Sequence, residues 1–265
     1  MRILTAFGTR PEAIKLAPVV QAFLNSPGIT HGLCVTAQHR EMLDQVLEVF
    51  GLTPDFDLNL MKPGQDLSYI TSAALEGVGR VVDEFKPDWV IVQGDTTTAF
   101  AAALAAFYRK ARVAHVEAGL RTGNIYSPWP EEMNRKLVTQ LTSLHLPPTK
   151  RAAENLRREG VPDAQVLVTG NTVIDALQWV SVKLDADAEL VRRFAAGFAF
   201  LDPAKRLILV TGHRRESFDG GLERVCRALA ELGKRGDVEI LYPVHLNPRV
   251  QETAKKVLAD SPAVH

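Results

Sequence analysis

Short apolar runs alternate with segments of helical periodicity along most of this sequence. Runs typical of buried strands occupy residues 2–7, 33–36, 89–92, 113–116, 166–168, 206–210 and 238–242. Amphipathic or alanine-rich helical patterns lie between them, for example over residues 67–85 and 97–109. Parallel strands need a crossover connection, which is usually a helix. The alternation therefore predicts an α/β fold built on mostly parallel sheets.

The sequence predicts two structural units of unequal completeness. A turn at Thr169-Gly170-Asn171 precedes a long helical pattern, and we expect a domain boundary there, giving units of residues 1–170 and 171–265. From residue 206 onward the second unit has only two strand and two helix patterns, too few to cover both faces of a parallel sheet. We therefore expect the second domain to be incomplete and the sequence to stop short of the native C-terminus.

The composition argues against several classes of partner. The formal net charge is +0, so neither nucleic acid nor an anionic membrane is expected as a partner. The longest apolar stretch, residues 99–107, is far shorter than the roughly 20 residues that span a bilayer. Cys34 and Cys226 lie far apart in apolar contexts and are expected to be buried thiols. A cytoplasmic location is the expectation that follows.

Charged side chains follow several of the predicted strands. In open α/β sheets, ligands bind beyond the carboxyl ends of the strands, so these positions are candidates for a site. The side chains concerned are Arg10, Lys15, Asp95, Glu117, His213, Arg215 and His245. Together they predict a cleft between the two units that contains acids, bases and cations.

The chemistry of these residues suits a phosphate-bearing ligand. Cations and the free N–H groups of helix N-termini bind anions, and carboxylates serve acid–base chemistry or stabilise a positive centre. Each residue also has a structural alternative. Asp95 precedes three threonines and could be a helix N-cap, and His213 could belong to a solvated turn.

The stretch from residue 113 to residue 135 concentrates such side chains. An apolar run ends on Glu117, a loop with two glycines and Arg121 follows, and Pro130 is well placed to start a helix. Glu131 and Glu132 would then occupy the N-terminus of that helix, where the dipole favours negative charge. The alternative is a loop followed by a charged helix cap.

Several cofactor motifs are absent from the sequence. The first strand is followed by GTRPEA and not by G-x-G-x-x-G, which argues against a bound dinucleotide, and no Walker A loop occurs. No His/Cys set has the spacing of a zinc site. We therefore expect neither a cofactor nor a metal ion.

A set of motifs resembles one enzyme family along the whole sequence. The motifs are GTRPEAIKLAPVV, TAQHREMLDQVLEVFG, QGDTTTAFAAALAAFY, HVEAGLRTGNIYSPWPEEMNR, TGNTVIDAL, TGHRRESF and YPVHLNP. They are similar to those of the bacterial non-hydrolysing UDP-N-acetylglucosamine 2-epimerases. The resemblance implies two Rossmann-like domains facing each other across a cleft, as in GT-B glycosyltransferases, with the second domain continuing beyond residue 265. It also implies a homodimer.

The resemblance implies a reaction at C2 of a nucleotide sugar. The family interconverts UDP-GlcNAc and UDP-ManNAc, and the C2 proton is not acidic because no carbonyl lies beside that carbon. Elimination of UDP to 2-acetamidoglucal, followed by re-addition with the proton delivered to the opposite face, inverts C2. The product would supply ManNAc units for cell-surface polysaccharide.

The family's active-site residues map onto this sequence one by one. By resemblance, the catalytic carboxylates are Asp95, Glu117 and Glu131, and the catalytic histidine is His213. Two of the carboxylates would exchange the C2 proton and the third would stabilise the cation, with the assignment left open. His213 would contact the diphosphate and assist its departure.

The resemblance also implies two binding sets. Arg10 and Lys15 match positions that bind the substrate near the diphosphate or the catalytic acids. A second, regulatory UDP-GlcNAc site would involve Gln38, His39, Arg215 and His245.

Three other functions are alternatives to this interpretation. A GT-B glycosyltransferase would use the same cleft but needs an acceptor and releases UDP with product. A regulatory protein would hold the sugar nucleotide without turnover, and a hydrolysing epimerase would accumulate free ManNAc and UDP.

Overall fold

The chain divides into two compact α/β units. The computed structural model describes residues 1–37, 40–62, 64–212, 220–244 and 248–265, with the backbone only for residues 41 and 249. The first unit comprises Met1–Lys183 and the second Leu184–His265. Within the described ranges, no helix is long and apolar enough to cross a membrane.

The first unit is built on a parallel six-stranded sheet. Its strands are β1 (Arg2–Phe7), β2 (Thr30–Val35), β3 (Phe56–Asp57), β4 (Trp89–Gln93), β5 (Arg112–Val116) and β6 (Leu144–Leu146). They lie in the order β3-β2-β1-β4-β5-β6, and every pairing is parallel. This is the Rossmann strand order, in which the direction of winding reverses between β1 and β4. The predicted α/β fold with a parallel sheet is confirmed.

Helices cover both faces of this sheet. They are α1 (Arg10–Leu24), α2 (Arg40–Phe50), α3 (Leu67–Phe85), α4 (Thr97–Tyr108), α5 (Glu131–Leu141), α6 (Lys150–Arg158) and α7 (Val173–Ala186). Strand β1 shows why both faces are apolar. Its Ile3 and Phe7 pack in a core with α1, α2 and α7, whereas Leu4 and Ala6 pack in a second core with α3, α4 and α5. Alternate residues of one strand therefore serve two hydrophobic layers.

Helix α7 packs on the first unit. The ring of Trp179 lies 4.9 Å from that of Phe50, and Lys183 Nζ donates a hydrogen bond to the carbonyl of Val49. The first unit therefore includes nearly all of α7, whereas the boundary predicted after residue 170 precedes this helix.

In its described residues, the second unit contains a parallel strand pair and three helices. Its elements are α8 (Ala188–Gly197), β7 (Arg206–Leu209), α9 (Gly221–Gly233), β8 (Val238–Leu241) and α10 (Pro248–Leu258). Its core includes Leu222, Cys226, Ile240 and Val250. Residues 263–265 run beside β8, where the Ile240 N–H donates to the Ala263 carbonyl.

The structure departs from the sequence prediction at three short strands. The strand predicted over residues 166–168 is wrong, because Val166 makes only an isolated bridge to His145 and the side chains of Leu167 and Val168 are exposed. Strands β3 and β6 were not predicted. They have two and three residues, too few to display a periodicity.

Candidate active site

The candidate site lies where β1, β4 and β5 end. Asp95 and Glu117 follow two neighbouring strands, and the ladder between those strands continues beyond Gln93 because the Gly94 N–H donates to the Val116 carbonyl at 3.0 Å. Glu131 begins helix α5, which packs against α4. The carboxylates that the sequence predicted therefore come from elements that pack together at one edge of the sheet.

Glu117 is held by three hydrogen-bond donors in an unusual backbone conformation. Lys15 Nζ and Gln93 Nε2 donate to Oε1 at 2.8 and 3.2 Å, and Asn171 Nδ2 donates to Oε2 at 3.0 Å. The side chain is 11% exposed, and the backbone φ is +63°. A left-handed conformation in a non-glycine residue costs roughly 1–3 kcal/mol and persists only where the surroundings enforce it. The orientation of this carboxylate is therefore fixed from both sides.

Asp95 is held by helix α5 and does not cap α4. The N-cap of α4 is Thr96, whose hydroxyl accepts from the Ala99 N–H, so the N-cap alternative for Asp95 is wrong. Arg135 Nε and Nη2 both donate to Asp95 Oδ2, at 2.9 and 2.6 Å, and Asn134 Nδ2 donates to the Asp95 carbonyl at 2.9 Å. Both guanidinium contacts fall on one oxygen, which orients the carboxylate.

A buried histidine supports the turn that carries Asp95. His115 on β5 is 1% exposed, and its Nε2 lies 2.7 Å from the Gly94 carbonyl. A carbonyl only accepts, so Nε2 carries the proton and donates. Burial lowers the pKa of His115 to about 4, and this imidazole is therefore neutral at pH 7. Its Nδ1 has no hydrogen-bond partner within the part of the chain that the structure describes.

The adjacent glutamates of α5 have different surroundings. Glu132 is fully buried and accepts from the N–H groups of Thr122 and Gly123 and from Arg135 Nη1. Burial raises the pKa of Glu132, but these donors outweigh it and hold the pKa below its ordinary value. In contrast, the buried Oε2 of Glu131 has no hydrogen-bond partner among the described residues. Glu132 is thus part of the scaffold, whereas no described group holds the Oε2 of Glu131.

The two predicted substrate-binding cations, Arg10 and Lys15, also differ in whether another side chain holds them. Arg10 is the first residue of α1 and is exposed, and it forms no ion pair with any described residue. An anion could therefore contact its guanidinium at the start of α1, where the helix dipole favours negative charge. Lys15 is instead paired with Glu117 at 2.8 Å. The structure places Lys15 as a partner of a catalytic candidate.

Glu12 was not predicted as a site residue. Its carboxylate bridges the loop after β1 and the loop after β4. It is 1% exposed, and its Oε2 accepts from the N–H groups of Gly8 and Thr9 at 3.2 and 2.8 Å. Its Oε1 accepts from the hydroxyl of Thr96, in the loop after β4, at 2.7 Å. Burial raises the pKa of Glu12, and the surrounding donors oppose that rise.

Some predicted residues lie elsewhere or cannot be placed. His213, Gln38, His39, Arg215 and His245 lie outside the described residues. Arg121 is committed to the scaffold, because its guanidinium donates to both carboxylate oxygens of Glu159 and to Thr139.

Sequence reasoning assigned no role to Arg135 and Asn171, which donate to the carboxylates of Asp95 and Glu117, or to Asn134, which donates to the main-chain carbonyl of Asp95. Asn134 and Arg135 lie three and four positions after Glu131, so helical spacing could have placed them on its face. Asn171 approaches Glu117 from 54 residues away, and no local signal indicates that contact.

The arrangement offers two oriented carboxylates and a third, Glu131, whose Oε2 has no hydrogen-bond partner among the described residues. Such a set can move protons at a carbon centre or stabilise a positive charge that develops there. Within the described ranges, no group of three His, Cys, Asp or Glu side chains could hold a metal ion.

Comparisons with known proteins identify the family. The family profile described as UDP-N-acetylglucosamine 2-epimerase matches residues 21–265. The UDP-N-acetylglucosamine 2-epimerase of Escherichia coli (strain K12) is 55% identical over 259 residues, which is 97% of this chain and 69% of the relative. The relative of the same name from Campylobacter jejuni is 48% identical over 97% of this chain and 68% of its own length.

Solved structures agree with the sequence comparison. The UDP-GlcNAc 2-epimerase from Neisseria meningitidis bound to UDP-GlcNAc is 47% identical, with a TM-score of 0.93 over 100% of this chain and 71% of that one. The enzyme from Methanocaldococcus jannaschii in complex with UDP-GlcNAc and UDP is 32% identical, with a TM-score of 0.79 over 100% of this chain and 72% of that one. The chain therefore belongs to the UDP-N-acetylglucosamine 2-epimerase family of isomerases.

Proposed function

We propose that this protein interconverts UDP-GlcNAc and UDP-ManNAc by inverting C2 of the sugar through elimination and re-addition. The observation that carries the proposal is the set of carboxylates at one sheet edge. Three donors hold Glu117, Arg135 holds Asp95, and one buried oxygen of Glu131 has no hydrogen-bond partner in the described part of the chain. Relatives solved with UDP-GlcNAc or UDP support the choice of substrate.

The proposed reaction has two halves. In the first, the bond from C1 to the diphosphate oxygen breaks, a carboxylate takes the C2 proton, and a C1–C2 double bond forms in 2-acetamidoglucal. In the second, a carboxylic acid delivers a proton to the opposite face of C2 while a UDP oxygen attacks C1. Carboxylates on both sides of the ring are therefore needed, and a general acid or base typically contributes 10²–10⁴-fold.

Each predicted site residue has a part in the proposed reaction. Asp95, Glu117 and Glu131 act on the ring, two of them exchanging the C2 proton and one stabilising the oxocarbenium-like centre. Arg10 binds the diphosphate with its exposed guanidinium at the start of α1. His213 is proposed to assist the leaving diphosphate. Lys15 acts through Glu117, which it contacts directly.

Several finer statements belong to the same proposal. They are a regulatory UDP-GlcNAc site at Gln38, His39, Arg215 and His245, a homodimer, a cytoplasmic location, and a supply of ManNAc units for cell-surface polysaccharide. Size-exclusion chromatography with light scattering tests the dimer. A sigmoidal dependence of rate on UDP-GlcNAc concentration tests the regulatory site.

Proton NMR of UDP-GlcNAc with the protein in deuterated water tests the reaction. We expect deuterium at C2 and a mixture of UDP-GlcNAc and UDP-ManNAc. Retention of the C2 proton, with UDP released only when a sugar acceptor is added, would refute the proposal in favour of a glycosyltransferase. Accumulation of free ManNAc would indicate a hydrolysing enzyme, and binding without turnover would indicate a regulatory protein.

Isosteric variants then test the residues. Asp95→Asn, Glu117→Gln and Glu131→Gln should each slow C2 exchange by about 10²–10⁴-fold. Asp83→Asn is a matched control, because Asp83 is an exposed carboxylate that pairs with Arg109 at the far ends of α3 and α4. A control that loses as much activity as the three site variants would contradict the residue assignment.

A further inference from the structure

Asn171 differs from the other two donors to Glu117 in where it comes from. Lys15 lies on α1 and Gln93 ends β4, so both are fixed to the central sheet. Asn171 lies in the turn that leads into α7. Lys15 and Gln93 share Oε1 of Glu117, whereas Asn171 is the partner of Oε2 among the described residues. Without Asn171, one oxygen of this carboxylate would lose its donor.

The amide of Asn171 makes a second hydrogen bond. While its Nδ2 donates to Glu117 at 3.0 Å, its Oδ1 accepts from the N–H of Val173, the first residue of α7, at 3.1 Å. Helix α7 continues to Ala186 and thus runs past the last residue of the first unit, Lys183. One planar amide therefore joins a catalytic candidate to the start of the helix that connects the two units.

We propose that Asn171 is a positioning residue that sets the orientation of the Glu117 carboxylate from the N-terminus of α7. This inference rests on the proposed function, because it concerns the carboxylate that acts at C2. The left-handed φ of +63° at Glu117 supports it, since a strained residue needs external contacts to keep its side chain in place. Misplacement of a catalytic group by about 1 Å can cost on the order of 10²-fold in rate.

Two substitutions separate positioning from simple helix capping. Asn171→Asp keeps an oxygen that can accept from Val173 N–H, and Asp caps helices about as well as Asn. It removes the donor to Glu117 and places a second carboxylate there. Asn171→Ala removes both contacts. If Asn171 only caps α7, the aspartate variant keeps full activity; if it positions Glu117, both variants lose activity.

The measurements are kcat and KM for C2 exchange in the wild type and in both variants. We expect kcat to fall about 10- to 100-fold in both variants with KM changed much less. Asp187→Asn is the matched control, since Asp187 caps α8 through the Leu190 N–H and makes no contact with Glu117.

The outcomes are distinguishable from failure of the proposed function. An aspartate variant with wild-type kcat overturns the inference, as does an equal loss in the Asp187→Asn control. If the wild-type protein shows no C2 exchange, the proposed function fails, and this inference, which rests on it, fails with it.

Discussion

Replacing Arg135 by methionine is expected to destabilise the first unit strongly. The guanidinium contacts Asp95 through Nε and Nη2 and Glu132 through Nη1, and its own side chain is 15% exposed. The side chain of Glu132 is fully buried, so the substitution leaves a carboxylate without its cation in the interior. Methionine keeps much of the aliphatic stem, which limits the loss of packing.

The expected loss in the free energy of unfolding follows from the burial of Glu132, the partner of Arg135. Removing one member of a buried ion pair typically costs about 3–5 kcal/mol, because the remaining charge is uncompensated. Two backbone N–H donors still reach Glu132, which favours the lower end of that range. Arg109→Met is the matched control. Arg109 also donates through two nitrogens to a carboxylate, Asp83, but the Asp83 side chain is 61% exposed, so water replaces the contact.

Tryptophan fluorescence during urea unfolding at pH 7 is the appropriate assay. All three tryptophans, Trp89, Trp129 and Trp179, belong to the first unit, so this signal reports on that unit. The free energy of unfolding is compared among the wild type, Arg135→Met, Arg109→Met and the double variant Arg135→Met/Glu132→Gln. The double variant should recover part of the loss, because glutamine leaves no buried charge.

Two results would refute this reasoning. One is a cost for Arg135→Met no larger than that of the Arg109→Met control. The other is a double variant less stable than Arg135→Met alone, which would mean that the loss does not come from the unpaired charge of Glu132.

Two further predictions concern buried groups beside the site. Glu12→Ala should lower the free energy of unfolding by about 3–5 kcal/mol in the same urea assay, because two buried donors and one partly buried donor lose their acceptor. Glu12→Gln should cost clearly less, and equal costs would show that the donors do not need an acceptor. The pKa of His115 is about 4 in the folded protein, below the ordinary 6.5, so unfolding takes up a proton between these pH values. The free energy of unfolding therefore falls as the pH drops through that window, by up to about 3 kcal/mol. His115→Gln, which retains a donor for the Gly94 carbonyl, should show a smaller loss between pH 7 and pH 4.5, and an unchanged loss would contradict the assignment of that proton uptake to His115.

The sequence predicted what depends on periodicity and missed what depends on distant contacts. The apolar run over residues 89–92 predicted β4 to within one residue, since the strand continues to Gln93, and therefore placed Asp95 in the loop that follows it. The sequence alone did not decide the role of Asp95. Both Asp95 and Thr96 have N-cap chemistry, and the presence of Arg135 on a neighbouring helix decides between them.

Contacts between residues that lie far apart in the sequence could not be predicted from local patterns. The contact of Asn171 with Glu117 bridges 54 residues and that of Glu12 with Thr96 bridges 84, so neither leaves a local pattern. The family resemblance pointed to Glu117 and to Lys15, which pairs with it, but not to Asn171, the donor to its other oxygen. The orientation of the Glu117 carboxylate is a property of the folded sheet edge, where loops from separate strands meet.

The relative placement of the Glu131 and Asp95 carboxylates depends on residue spacing along helix α5. Glu131 opens the helix, and Asn134 and Arg135, one turn later, hold Asp95. Each residue of an α-helix turns the chain by about 100° and advances it by about 1.5 Å. Inserting one residue between Glu131 and Asn134 would rotate Glu131 away from the face of α5 that contacts Asp95. No existing side chain would be replaced. The spacing of three residues is therefore as much a part of the candidate site as the residues themselves.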